Sequence, residues 1–153
     1  MNAEPAVQVS AAGRYETAVL FGDQVHVAGM TPRQGAAAPP RGRIGDTIDE
    51  AEARRLVALA TNRATAAAEW ATRGEERPSF VPLMLTVYLV TTSGFERHSV
   101  VADAASDVVS AWCGGRLPAR AAVGVRSLPG GAPLEVSLVV GIERRPAPGS
   151  RGS

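Results

Sequence analysis

An arginine and a glutamate in the last third of the chain have side chains suited to chemistry on a small carboxylic acid. Arg120 lies just inside one predicted strand and Glu135 just inside the next, with a Pro/Gly turn between the strands. An arginine can bind a planar carboxylate through two parallel hydrogen bonds. A glutamate nearby can orient or activate a water molecule. The pair therefore suggests a site that binds a small carboxylate and acts on it.

The hydrophobic periodicity predicts an α+β domain with the element order β-β-α-β-α-β-β. The predicted strands cover residues 15–21, 24–30 and 80–90, with two more within 117–142, and the predicted helices cover 46–72 and 99–112. Asp46 or Thr47 is the expected cap of the first helix, and Gly74 is its expected stop. We expect a mixed sheet with both helices on one face. The other, semi-polar face would suit an oligomer interface with pockets.

The Pro/Gly turn leaves the distance between Arg120 and Glu135 open. If residues 127–133 form a simple hairpin, Arg120 faces the region of Val140 and lies well away from Glu135 along the ladder. A bulge, an offset or the length of the arginine side chain could close that gap. Direct contact between the two side chains is therefore not predicted from the sequence.

Length and composition favour a single cytoplasmic domain. The 153 residues suffice for one core, which we place at 1–143, followed by a Pro/Gly/Ser/Arg-rich tail at 144–153 that we expect to be disordered. No apolar run is long enough to span a membrane, and residues 1–5 lack the features of a signal peptide. A net charge of +1 and few aromatic residues argue against nucleic-acid partners. With one cysteine, Cys113, and two histidines, we expect no metal.

Several short motifs, taken together and in order, resemble the Rid family, the YjgF-type reactive intermediate deaminases. They are Gly13-Arg14-Tyr15, the strand 25–30 with sequence VHVAGM, Pro118-Ala119-Arg120, Leu128-Pro129, and Leu134-Glu135-Val136. The match spans roughly residues 10–143. This resemblance implies a chorismate-mutase-like fold and a homotrimer with an active site in each cleft between subunits. It further implies hydrolysis of 2-imino acids, or their enamine tautomers, to 2-keto acids and ammonia without a cofactor.

The resemblance also implies roles for individual residues. Arg120 matches the arginine that binds the substrate carboxylate, and Glu135 matches the glutamate near the attacking water. The remaining expected pocket positions are a tyrosine, a glycine and the residue before it, and a backbone carbonyl that helps to hold the water; they are Tyr15, Gly29, Ala28 and Ala122. Many family members have a serine in place of Ala28. The loop at 31–45 and the region at 95–117 are also longer than in the best-known members.

Other interpretations remain open beside this hydrolase. The same cleft could serve a non-catalytic carboxylate binder or regulator, or a biosynthetic tailoring enzyme with a larger substrate. A ribonuclease is disfavoured because the net charge is near zero and paired catalytic histidines are lacking. Arg120 could instead be a strand arginine in a salt bridge, and Glu135 could be a solvated strand residue. His26 and His98 are expected at the surface or an interface.

Overall fold

A computed structural model describes residues 8–76 and 78–144 of the chain. Residues 145–153, most of the predicted disordered tail, lie outside the described residues, as do residues 1–7. The elements follow the predicted order; they are β1 (Ala18–Phe21), β2 (Gln24–Met30), α1 (Glu50–Ala71), β3 (Ser79–Val90), α2 (His98–Trp112), β4 (Ala119–Val125) and β5 (Leu134–Glu143). Among the described residues no helix is both long and apolar enough to cross a membrane.

The five strands form one mixed sheet in the order β1-β2-β5-β3-β4, with both helices packed on it. β4 runs parallel to β3, and every other neighbouring pair is antiparallel. The predicted α+β class and the mixed sheet are therefore confirmed. α1 covers β1, β2 and β5, and α2 covers β3 and β4, so the two helices together cover one face.

The simple hairpin considered for the last two strands is wrong. β3 lies between β4 and β5, since α2 carries the chain over the sheet and returns it parallel to β3. The long apolar β3 can accept a neighbour on each edge, and β5 pairs with its other side. Pro82 is compatible with this central strand because it lies at a register shift and before Met84, where pairing with β4 begins.

Helix α1 begins slightly later and ends slightly earlier than the sequence indicated. The carboxylate of Asp49, not Asp46 or Thr47, caps it by accepting a hydrogen bond from the Glu52 amide at 2.8 Å. Ile48 is buried just before the cap, which fixes the start of the helix. The helix ends at Thr72, whose hydroxyl donates to the Ala68 carbonyl before the chain reaches Gly74.

The two faces of the sheet differ sharply in exposure. The inner face, beneath the helices, is fully buried along β5 at Leu134, Val136, Leu138 and Val140. The outer face leaves several large apolar side chains exposed, at Val19, Phe21, Met84 and Val123. The same face also carries the polar residues His26, Thr86 and Glu135, so it is semi-polar, as the sequence predicted. Exposed large apolar side chains on a sheet face without a covering layer suit a protein interface.

Candidate functional site

Arg120 lies on the inner face of the sheet, where α2 holds its guanidinium. It pairs with Leu85 of β3, which in turn pairs with Leu138 of β5, and both leucines are fully buried. Its Nη1 donates to Asp103 at 2.8 Å and to Ser106 at 2.9 Å, and its Nη2 donates to the Ser99 hydroxyl at 2.7 Å. The side chain is only 19% exposed. Arg120 therefore links β4 to α2 within the subunit.

Glu135 lies on the opposite, outer face and borders a cavity. It pairs with Tyr88 of β3, which in turn pairs with Val123 of β4. The carboxyl group is half-buried, and burial raises its pKa above the ordinary value. It forms no ion pair with any residue that the structure describes. A partly dehydrated carboxylate that forms no ion pair among the described residues is available to a water molecule or a ligand.

The cavity has a volume of about 370 Å³ and lies where β2 extends beyond its pairing with β1. Three of the predicted site residues line it: Glu135, Gly29 and Tyr15. Tyr15 is half-exposed at 50%. The remaining lining residues come from the N-terminal segment, the loop after β2, α1 and the β4–β5 connection; they are Ser10, Ala12, Thr17, Met30, Thr31, Arg33, Pro39, Arg63, Pro129 and Gly130.

Gly29 lies so close to the Glu135 side chain that a larger residue at position 29 would collide with it. A Cβ atom added to Gly29 would lie 2.0 Å from Oε1 and 2.4 Å from Cδ of Glu135. The register of β2 against β5 shifts between Val27 and Met30, and this irregularity brings the glycine against the carboxylate. The glycine therefore leaves the space in which the Glu135 side chain lies.

Arg120, Ala28 and Ala122 do not line this cavity. The Ala28 amide donates to the Thr17 carbonyl at 2.9 Å, and its side chain is half-buried. Ala122 pairs with the buried Val87, so its side chain lies on the inner face near Arg120. Within one subunit the six predicted residues therefore lie in different places. Glu135, Gly29 and Tyr15 line one cavity, Ala28 lies on β2 outside its lining, and Arg120 and Ala122 lie on edge strand β4.

Two arginines line the cavity that the sequence analysis did not assign to the site, Arg33 and Arg63. Arg63 extends from α1, and its Nη1 donates to the Thr31 carbonyl at 2.6 Å. Burial, and then the nearby charge of Arg33, lower the pKa of Arg63. The sequence contained a signal for Arg63, since it falls within the apolar stripe of the helix formed with Leu56 and Leu59. An arginine at such a position is often directed toward a polar feature.

A protein-family model described as Endoribonuclease L-PSP matches residues 5–142. The chain belongs to this family. It is the family of the YjgF and Rid proteins, so the resemblance found in the sequence motifs is confirmed. The fold expected from that resemblance is confirmed as well.

Three relatives of this Rid-family chain illustrate the range of similarity. Protein TCP17 of Trypanosoma cruzi is 29% identical over 131 residues, covering 84% of this chain and 81% of that protein. The structure of Atu1372 from Agrobacterium tumefaciens, of unknown function, has a TM-score of 0.78 at 27% identity, covering 86% of this chain and 84% of that one. RidA from an Antarctic Psychrobacter has a TM-score of 0.57 at 23% identity, covering 90% and 98%, and supports the fold alone.

The histidines and the cysteine of this Rid-family chain lie away from the Glu135 cavity. His26 is exposed on β2, and His98 begins α2 with its Nε2 3.3 Å from the Thr91 hydroxyl. Cys113 is buried, and burial raises the pKa of its thiol, which disfavours the reactive thiolate. Among the described residues no group of three His, Cys, Asp or Glu side chains could hold a metal ion.

Proposed function

We propose that this protein hydrolyses small 2-imino acids, and their 2-enamine tautomers, to 2-keto acids and ammonia. The proposal rests on the environment of Glu135, which lines the 370 Å³ cavity and forms no ion pair among the described residues. Its carboxyl group is half-buried, and burial raises its pKa. Membership of the Rid family and the position of Gly29 against this carboxylate support the same reaction class.

The reaction needs a positioned water molecule and the transfer of protons from that water to the imine nitrogen. In its ionised form Glu135 accepts a proton from water as the water oxygen attacks the imine carbon. Glu135 returns this proton to the imine nitrogen, which gives the carbinolamine. The carbinolamine hydroxyl then gives its proton to Glu135 as the C–N bond breaks, and Glu135 passes that proton to the departing nitrogen, so that ammonia leaves. The products are the 2-keto acid and ammonia, and no electrons are exchanged with another molecule. The raised pKa suits Glu135 to this alternation between base and acid.

Arg120 is the proposed clamp for the substrate carboxylate, and its position requires a site shared between subunits. Arg120 and Glu135 occupy opposite faces of one sheet, so one small molecule cannot contact both within a subunit. β4, which carries Arg120, is an edge strand. In the proposed homotrimer it lies beside the Glu135 cavity of a neighbouring subunit. A bidentate grip would require Arg120 to exchange at least one contact with α2 for the substrate.

A non-catalytic carboxylate binder is the second candidate, and the contacts of Arg120 favour it. The guanidinium already forms an ion pair with Asp103 and hydrogen bonds with two serines. If those contacts persist when a ligand binds, Arg120 is a structural link and the cavity lacks its proposed clamp. Such a protein would bind keto acids without accelerating the hydrolysis of imines.

Ammonia release from imines generated in situ by an amino-acid oxidase distinguishes the two candidates. The imines also hydrolyse in water, so the rate is measured above the reaction without protein. The wild-type protein should accelerate release, and Glu135→Gln should reduce the protein-dependent rate by roughly 100-fold, the lower range for acid–base catalysis. Glu96→Gln, at an exposed position outside the cavity lining, is the matched control. Saturable keto-acid binding without accelerated release would support the binder instead.

A further inference from the structure

Arg33 and Arg63 bring two positive charges to the cavity that Glu135 also lines. Both line the 370 Å³ cavity, and both also line an adjoining cavity of about 570 Å³. They therefore stand where the two cavities meet. Both side chains are half-buried, so their charges are only partly hydrated.

These two arginines belong to the seven of thirteen described arginines that form no ion pair there. Six arginines form ion pairs with carboxylates there: Arg54, Arg55, Arg97, Arg116, Arg120 and Arg144. Neither Arg33 nor Arg63 forms an ion pair with a described residue. Arg63 donates one hydrogen bond to a backbone carbonyl, which leaves most of its five N–H donors available.

Two partly buried guanidinium groups that line the same cavity repel each other when no counter-charge lies between them. The effect is visible in Arg63, because burial and the charge of Arg33 both lower its pKa. An anion bound between them would relieve this repulsion and gain charge-assisted hydrogen bonds from two planar donors. Glu135 does not supply that charge, since it pairs with neither arginine, although it lines the same cavity.

We propose that Arg33 and Arg63 bind a second carboxylate of the substrate, so that the cavity accepts 2-imino dicarboxylic acids in preference to monocarboxylic ones. The reacting carbon then lies at Glu135, and the distal carboxylate lies at the arginine pair. This inference rests on the proposed imine hydrolysis for its reaction, but its binding preference can be measured without turnover.

Calorimetric binding of two product analogues of equal chain length tests the proposal. 2-Oxoglutarate and 2-oxopentanoate both have five carbons and differ in the distal carboxylate. The wild-type protein should bind 2-oxoglutarate at least about tenfold more tightly, a difference within the range for hydrogen bonds to charged groups. Arg63→Met and Arg33→Met, which keep an apolar stem, should bring the two affinities close together. Arg73→Met, just after the end of the helix that carries Arg63 and outside the cavity lining, should preserve the preference.

Three results would overturn the proposal. They are equal affinities in the wild type, no saturable binding of 2-oxoglutarate, and a preference that persists in both arginine variants. Equal losses for both ligands would also count against it, because the arginines would then bind the 2-keto carboxylate. Arg63→Lys and a thermal melt of each variant separate loss of binding from loss of fold. A clear preference without accelerated ammonia release would leave this inference intact and refute the proposed hydrolysis.

Discussion

Arg120 and Glu135 lie on opposite faces of the same sheet. Their registers against the central strand β3 establish this, because Arg120 pairs with Leu85 and Glu135 with Tyr88. Those two positions are three residues apart, and successive residues of a strand alternate between its faces. The side chain of Arg120 accordingly contacts α2, whereas Glu135 borders the outer cavity. Any site that uses both side chains on one small substrate must therefore combine two subunits.

Replacing Glu135 by glutamine should change the pH dependence of stability in a defined direction. Burial raises the pKa of Glu135 above its ordinary value of 4.5, so the folded protein retains this proton more strongly than the unfolded chain. The contribution of Glu135 to stability is fully present below the unfolded pKa and is lost as pH rises through the folded pKa. Urea unfolding between pH 4 and pH 7 should show the wild type losing stability relative to Glu135→Gln as pH increases. The opposite trend would indicate a favourable partner for the carboxylate.

Adding one methyl group at Gly29 should displace the Glu135 carboxylate. The new Cβ would approach Oε1 to 2.0 Å, so the side chain of Glu135 must move. We expect Gly29→Ala to lower imine hydrolysis at least about tenfold and to cost about 1–3 kcal/mol of stability, as for overpacked sites. Activity assays and urea unfolding check both effects. Gly74→Ala, with no atom within 4 Å of its new Cβ, is the control. Undiminished activity in Gly29→Ala would show that hydrolysis does not depend on the position of the Glu135 carboxylate.

The contacts of Arg120 with α2 can be separated from its proposed role as a clamp. Asp103→Asn removes the ion pair but leaves the arginine, and it should cost about 0.5–1 kcal/mol because Asp103 is half-exposed. Ammonia release should then stay within about threefold of wild type. Arg120→Met should abolish release while the protein remains folded. If activity instead falls in proportion to lost stability in both variants, Arg120 serves only to fasten β4 to α2.

The exposed apolar side chains of the outer sheet face should be covered in an assembly. Val123 is 39% exposed and Met84 is 37% exposed on that face. A charge placed there should weaken subunit association, so Val123→Glu should reduce the mass measured by sedimentation from that of a trimer. Ala111→Glu, on the exposed surface of α2, should leave the mass unchanged. A wild-type monomer, or a mass unaffected by Val123→Glu, would contradict this assignment of the interface.

The sequence predicted the elements well because their signals are local. The run from Ser79 to Val90 and the alternation in β5 identify strands without knowledge of their neighbours. The sheet order could not be read in the same way. The sheet order depends on α2 returning the chain parallel to β3, and the residues near the Pro/Gly turn do not indicate which strand β4 pairs with. The simple hairpin, one possibility for β4 and β5, is wrong for this reason.

The site was partly predictable for a similar reason. Glu135, Gly29 and Tyr15 fall within short motifs, and the structure brings them to one cavity. Arg33 comes from a long loop whose course is set by tertiary packing. Arg63 comes from α1, where it shares one stripe of the helix with Leu56 and Leu59. The position of both arginines in the cavity that Glu135 lines is a property of the folded chain, and local sequence patterns do not reveal it.

Mixed assemblies of two inactive variants test the shared site most directly. Subunits with Arg120→Met and subunits with Glu135→Gln are co-expressed with different tags, and the mixed assemblies are purified and assayed for ammonia release. In a cyclic trimer some clefts then combine an intact Arg120 from one subunit with an intact Glu135 from its neighbour. Each purified mixed trimer has one intact cleft of three, so the mixed assemblies should show about a third of the wild-type activity. Mixed assemblies as inactive as either variant alone would contradict a site built from Arg120 and Glu135 of different subunits.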